Sequence, residues 1–282
     1  NNIAVGNDAM NGGTTTGDNN IAIGPSAGDA LTSGYENILM GKNTGGALTT
    51  GYQNVILGQL CGDIMTKGSQ NISIGWNALG GETVGNTSIA IGLYALGTQQ
   101  AGSDNLVMGN IGIGNSTGYY NVTGRYNTMI GDGAAQGSAG NPFSYNVAVG
   151  RNAGQGYGDA NTSVGAFAGN SGSTHSGSVF LGAHAGKGVT TGNQNIAIGS
   201  GSMGVAATTG DNNIAIGVSA GDALTSGFSN VLMGQDAGGA MTSGTENVAI
   251  GKEAGQALTA AHYNIAVGTK ALYSSADGNY NV

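Results

Sequence analysis

The apolar positions of this chain recur with a period much longer than a helix turn or a strand alternation. The stretch "NNIAIGPSAGDALTSGYENILMG", Asn19 to Gly41, contains the phrase Asn-apolar-x-apolar-Gly twice, with the second Asn seventeen places after the first. With that Asn as position one, anchors fall at 2, 20, 37, 54, 71, 88, 105, 127, 146, 161, 178, 195, 213, 230, 247, 264 and 281. Eleven of the sixteen spacings are 17 and two are 18; the other three (22, 19 and 15) lie together between Asn105 and Asn161. Residues 2 to 58 also match residues 195 to 251 at a constant offset of 193, so a block of eleven units is duplicated with its irregularities, and further copies are expected in the parent protein.

Positions two and four of each unit are apolar and mostly branched, as in Ile21 and Ile23, Val55 and Leu57, and Ile72 and Ile74. That alternation predicts a short strand whose branched face is buried. Position three is Ala in Ala4, Ala22 and Ala90 but Leu39, Ile56, Val107 and Phe180 elsewhere, so the opposite face is apolar as well. Position eight is small, position twelve is often Leu or Met (Leu31, Leu48, Met65, Leu224, Met241, Leu258), and a second short strand, roughly "ALTSG", is expected to return the chain.

Seventeen residues at about 3.3 Å each make a perimeter of roughly 56 Å, the size of one flattened coil. The fold predicted is therefore all-β, a single continuous β-solenoid over residues 1–282 with about sixteen rungs: regular over 2–105, irregular with loop insertions over 106–160, and regular again over 161–282. Such a rod would be roughly 75–80 Å long at about 4.8 Å per rung. Stacking puts like residues above one another, so Asn20, Asn37, Asn54 and Asn71, and again Asn213, Asn230, Asn247 and Asn264, are expected to form hydrogen-bonded ladders. Glycine at position five, from Gly6 to Gly268, marks a corner where a side chain would clash or φ is positive.

Composition narrows the function. Charged residues are only 8% of the chain and its net charge is −8, which argues against nucleic acid and anionic membrane as partners. No apolar run is long enough for a membrane span, and nothing resembles a signal peptide. The chain starts without Met and stops within its own repeat, so a longer parent is expected. One cysteine, Cys61, allows no intrachain disulfide.

The "NIAIG…AG…LTTG…N" units resemble the head repeats of trimeric autotransporter adhesins and, more closely, phage tail-fibre β-roll repeats of the kind that precede an intramolecular chaperone domain. The likeness is strongest over residues 2–105 and 178–281. It implies left-handed coils, a parallel homotrimer and an extracellular place on a virion tail or cell surface. The 17-residue period and the disturbed middle depart from the shortest coils of that group.

Little in the sequence points to catalysis or a cofactor. His175, His184 and His262 lie in separate units without a Ser or Asp partner at repeat spacing and read as turn or surface residues. Cys61 reads as a buried space-filler. Asp104, Asp132 and Asp159 flank the irregular middle and read as turn formers rather than a glycosidase pair. No calcium nonapeptide or other metal motif is present. The column Thr32, Thr49, Thr66, Thr83 raises an ice-binding solenoid, but its neighbour varies through Ser33, Thr50, Lys67 and Val84. A hexapeptide acyltransferase would need an aliphatic residue every six positions, and Ser33 and Lys67 break that count.

The expected function is a non-catalytic structural and adhesive fibre segment presenting multivalent surfaces. Tyr119, Tyr120, Tyr126 and Tyr145, with Phe143 and Tyr157, concentrate in the irregular middle and form a candidate recognition loop for a host-surface glycan or protein receptor. Position three is expected to face outward as an apolar stripe that a homo-oligomer covers. The converse arrangement, with positions two and four outward, demands an assembly equally.

Overall fold

The computed structural model describes residues 1–138, 140–156, 158–171, 174–274 and 278–282. The chain divides into two compact units, Asn1–Tyr145 and Asn146–Val282. The first contains β1 (Ile3–Val5), β2 (Ile21–Ile23), β3 (Ile38–Met40), β4 (Val55–Leu57), β5 (Ile72–Ile74), β6 (Ile89–Ile91), β7 (Ile111–Ile113) and β8 (Thr128–Ile130). The second contains β9 (Val147–Val149), β10 (Thr162–Val164), β11 (Val179–Leu181), β12 (Ile196–Ile198), β13 (Ile214–Ile216), β14 (Val231–Met233), β15 (Val248–Ile250) and β16 (Ile265–Val267).

Within each unit every strand pairs with the next in parallel and in repeat register: Ala22 lies opposite Leu39, and Leu39 opposite Ile56. One strand per coil, stacked in chain order, is a parallel β-solenoid. The described residues contain no helix.

The faces of the strand are the reverse of the first expectation. Position three points inward: Ala22, Leu39, Ile56, Ala90, Met129, Phe180 and Leu232 are all fully buried. Positions two and four, the branched ones, point outward and stay half-exposed or exposed, as in β3 and β11. The cause is space. A seventeen-residue coil closes tightly, and its interior also holds position eight (Ala27, Thr44, Cys61) and position twelve (Leu31, Leu48, Met65), leaving room for one strand residue per rung.

Bulk is shared between positions three and nine. In some rungs a small position three is accompanied by a large position nine, as in Ser73 with Leu79, Ala90 with Leu96 and Ala197 with Met203. Where position three is large, position nine is small, glycine beside Leu39, Ile56, Phe180 and Leu232 and Ala135 beside Met129; a Cβ on Gly186 would overlap the Phe180 ring.

The returning "ALTSG" leg is not a second strand. It consists of turns and bends, with isolated bridges, among the described residues, at Asn86 to Val107 and Val189 to Thr208. Its rungs are still joined: Thr49 N–H donates to Thr66 O at 2.8 Å and the Thr49 hydroxyl donates to the same carbonyl at 2.9 Å. Ala47 N–H also donates to Asp63 O at 3.0 Å, but these bonds converge on turn carbonyls instead of running in strand register.

Corners carry positive φ. Position five is glycine for both of the expected reasons: Gly24 has φ +132°, and a Cβ there would lie 2.5 Å from Gly41 O on the next rung. The residue before each anchor is also left-handed, including Glu36, Gln53, Thr87 and Tyr126 at φ +56° to +60°. This identifies one misplaced anchor. β7 follows Asn110, not Asn105: Asn110 is buried, Gly109 before it has φ +60°, and Asn105 is exposed in a turn. The 22-residue spacing therefore runs from Ser88 to Asn110.

Candidate functional site

The asparagine ladder is the organising polar element of both units. Asn37 Nδ2 donates to Asn20 Oδ1 (3.0 Å) and to Gly51 O (2.9 Å), while Asn20 Oδ1 also accepts the Asn37 backbone N–H at 3.0 Å. Asn54 repeats this on Asn37 and Asn71 on Asn54, at 3.0 and 3.3 Å. In the second unit Asn213, Asn230, Asn247 and Asn264 continue it at 3.0 to 3.1 Å. Each interior amide thus fills two donor and two acceptor places without water.

Serine interrupts the ladder once in each unit, and in each case another side chain supplies the missing amide. In the first unit Gln99 reaches in from position twelve, donating to Ser88 Oγ at 3.0 Å and accepting from Asn110 Nδ2 at 2.8 Å. Its Nε2 also donates to the fully buried Glu82, whose Oε1 accepts the N–H groups of Thr83, Val84, Gly85 and Ala101 at 2.7 to 3.2 Å. Residues 102–105 are exposed and carry the extra length of this rung, and the Glu82 carboxylate supplies the acceptor for these amides.

In the second unit the interruption is Ser178, and the substitute is His175. Ser178 N–H donates to Asn161 Oδ1 at 3.0 Å, and His175 Nδ1 lies 3.2 Å from the same oxygen. The imidazole is buried, edge-on to Phe180 at 5.2 Å, and burial pushes its pKa down to about 4. This corrects the reading of His175 as a turn or surface residue. His184 is exposed and stacked on Phe167, and His262 Nδ1 pairs with Thr245. Beside His175 lies a small cavity lined by Ala148, Gly154, Asn161 and Ser163 among others. It accommodates on the order of one water molecule. A Ser, a His and an Asn meet here, but the enclosed space admits no substrate.

The signal for this site was present in the sequence. Ser178 replaces the ladder Asn, the spacing from Asn146 to Asn161 is 15 rather than 17, and positions three and nine are both small in successive rungs (Ala148 with Gly154, Ser163 with Gly169). Elsewhere a small pair is filled by a neighbour, as Leu39 fills the space at Gly28. At Gly154 the nearest side chains are the small Ala148 and Ser163.

The candidate recognition tyrosines form two groups. Tyr119 meets Tyr120 edge-on at 4.8 Å and Tyr94 at 5.7 Å, and Tyr94 in turn meets Trp76 at 4.6 Å. Tyr126 stacks on Tyr145 at 5.5 Å with the Arg125 guanidinium 5.7 Å from the Tyr126 ring. Tyr119, Tyr120 and Tyr126 lie in a rung of regular length that starts at Asn110, not on inserted residues. Phe143 is buried in the core, and Tyr157 lies outside the described residues.

The remaining polar candidates have local roles. Asp104 pairs with Lys67 and Asp132 accepts from Asn115. The Cys61 thiol is buried against Ser73 Oγ at 3.0 Å, and burial pushes its pKa up to about 11. The Thr32, Thr49 and Thr66 hydroxyls donate to the carbonyl of the next rung, which leaves that column little to offer an ice lattice. Compared with protein-family models and with curated proteins, the chain matches none.

Proposed function

We propose that this chain is a non-catalytic structural and adhesive segment of an extracellular fibre, a phage tail fibre or a cell-surface adhesin, acting as a parallel homotrimer. One observation carries the reading. The outward face of each strand is a double column of Ile, Val, Leu and Met, with Ile38, Met40, Ile72, Val179, Leu181 and Ile250 all exposed in the single chain. Such an apolar surface on each unit, in a chain with so few charges, calls for a covering partner. A second copy brings an identical set of columns in the same register, so parallel association buries every rung together. The resemblance noted above favours three chains.

The mechanism is mechanical and multivalent: stacked rungs hold binding surfaces outward, and several chains turn weak contacts into avidity. The two tyrosine groups are the proposed recognition surface for a glycan or protein receptor. Light scattering tests the assembly: a mass near three times 27.5 kDa is expected, and a stable single chain at micromolar concentration overturns it. Replacing Tyr119, Tyr120 and Tyr126 by serine tests the second part. Host-cell or glycan attachment should fall at least tenfold with the assembly intact, and unchanged attachment removes the recognition role.

A further inference from the structure

We infer that the cavity beside His175 is a built water site, in which one water molecule bridges His175 Nε2 and Ser163 Oγ and completes the asparagine ladder where Ser178 interrupts it. The argument starts from the tautomer. Asn161 Nδ2 donates to His175 O at 2.9 Å, as Asn20, Asn37 and Asn54 donate to the carbonyls of Gly34, Gly51 and Gly68, so Oδ1 is the atom facing His175 Nδ1 at 3.2 Å. An amide oxygen only accepts, so Nδ1 carries the proton and Nε2 presents a lone pair.

That lone pair has no protein partner, and neither has Ser163 Oγ; both residues are 1% exposed. Two buried polar atoms without partners in one small rung are rare in a native fold, because each then carries its full desolvation penalty. Both residues line the same cavity. Its size suits one water, and a water molecule has the chemistry required: one O–H for Nε2, and its other O–H or its oxygen for the Ser163 hydroxyl. The lining includes no carboxylate, lysine or arginine, so neither a metal cation nor an anion is matched there.

The site also explains why position three is Ser163 where the preceding rung has Ala148. A hydroxyl with nothing to bond is worse than a methyl group in the core, whereas a hydroxyl that holds the water is better. Two measurements on the whole chain test this. A crystal structure should show a density peak within about 3.2 Å of both Nε2 and Oγ, and Ser163→Ala should lower the melting temperature. A dry cavity, or a Ser163→Ala melting temperature equal to or above the parent's, overturns the inference.

Discussion

At the residue scale, two buried titratable side chains stand where the repeat would put none, and each makes the fold sensitive in its own way. His175 has a folded pKa near 4 against an ordinary value of 6.5. Between those values the unfolded chain binds a proton that the folded chain does not, so stability is full above the unfolded pKa and is lost as pH falls from about 6.5 towards 4. The loss is on the order of 3 kcal/mol. Denaturation curves from pH 7.5 to 4 should therefore be steeper for the parent than for His175→Gln; equal slopes would show that the imidazole is not responsible. Glu82 acts through hydrogen bonds. Glu82→Leu restores the apolar column of Leu31, Leu48 and Met65 but leaves four backbone amides without their acceptor and removes one of the two bonds of Gln99 Nε2. At about 1–3 kcal/mol for each buried unpaired group, it should destabilise the chain by about 3 kcal/mol or more, as read by urea denaturation, despite its closer match to the repeat.

At the element scale, the rung is a closed coil whose corners and filling are linked. A strand of three residues is too short to hold itself, and its stability comes from the rung above and the rung below. The exchange of bulk between positions three and nine gives a direct test. Gly186→Ala places a methyl group in the Phe180 ring and should cost about 1–3 kcal/mol. Phe180→Ala alone should cost about 3–5 kcal/mol through the cavity it leaves. Combined with Gly186→Met, which copies the pairing of Ala197 with Met203, part of that loss should return. Additive losses in a double-mutant cycle would show that the two positions fill separate spaces.

At the scale of the whole molecule, the outward columns of the strands matter most. Ile38 and Ile72 occupy the same column and contribute little to the core of their own chain. Ile38→Lys with Ile72→Lys should leave the circular dichroism spectrum intact while shifting the light-scattering mass towards 27.5 kDa. Like charges two rungs apart in one column inside an assembly cannot be solvated, whereas on a free surface they can. Unaltered mass in this variant would place the contact between chains on another face.

Much of this molecule was legible in the primary structure, because a solenoid repeats its environment every turn and so repeats its residue choices. The period, the Asn columns and the glycine corner follow from that alone: an amide that bonds its own copy one rung away, and a glycine facing a carbonyl one rung away, must recur at the coil length. Three features were settled only by the folded coil. Alternation distinguishes two faces of a strand without saying which is inside, and with both faces apolar only the narrow interior placed Leu39 and Phe180 within and the branched residues outside. The phrases at Asn105 and Asn110 both fit the repeat, one seventeen residues after Ser88 and the other seventeen before Asn127, and the exposed turn at residues 102–105 selects the second. The Glu82 and His175 sites arise where one rung differs from its neighbour, so each depends on side chains from adjacent rungs that no single repeat contains.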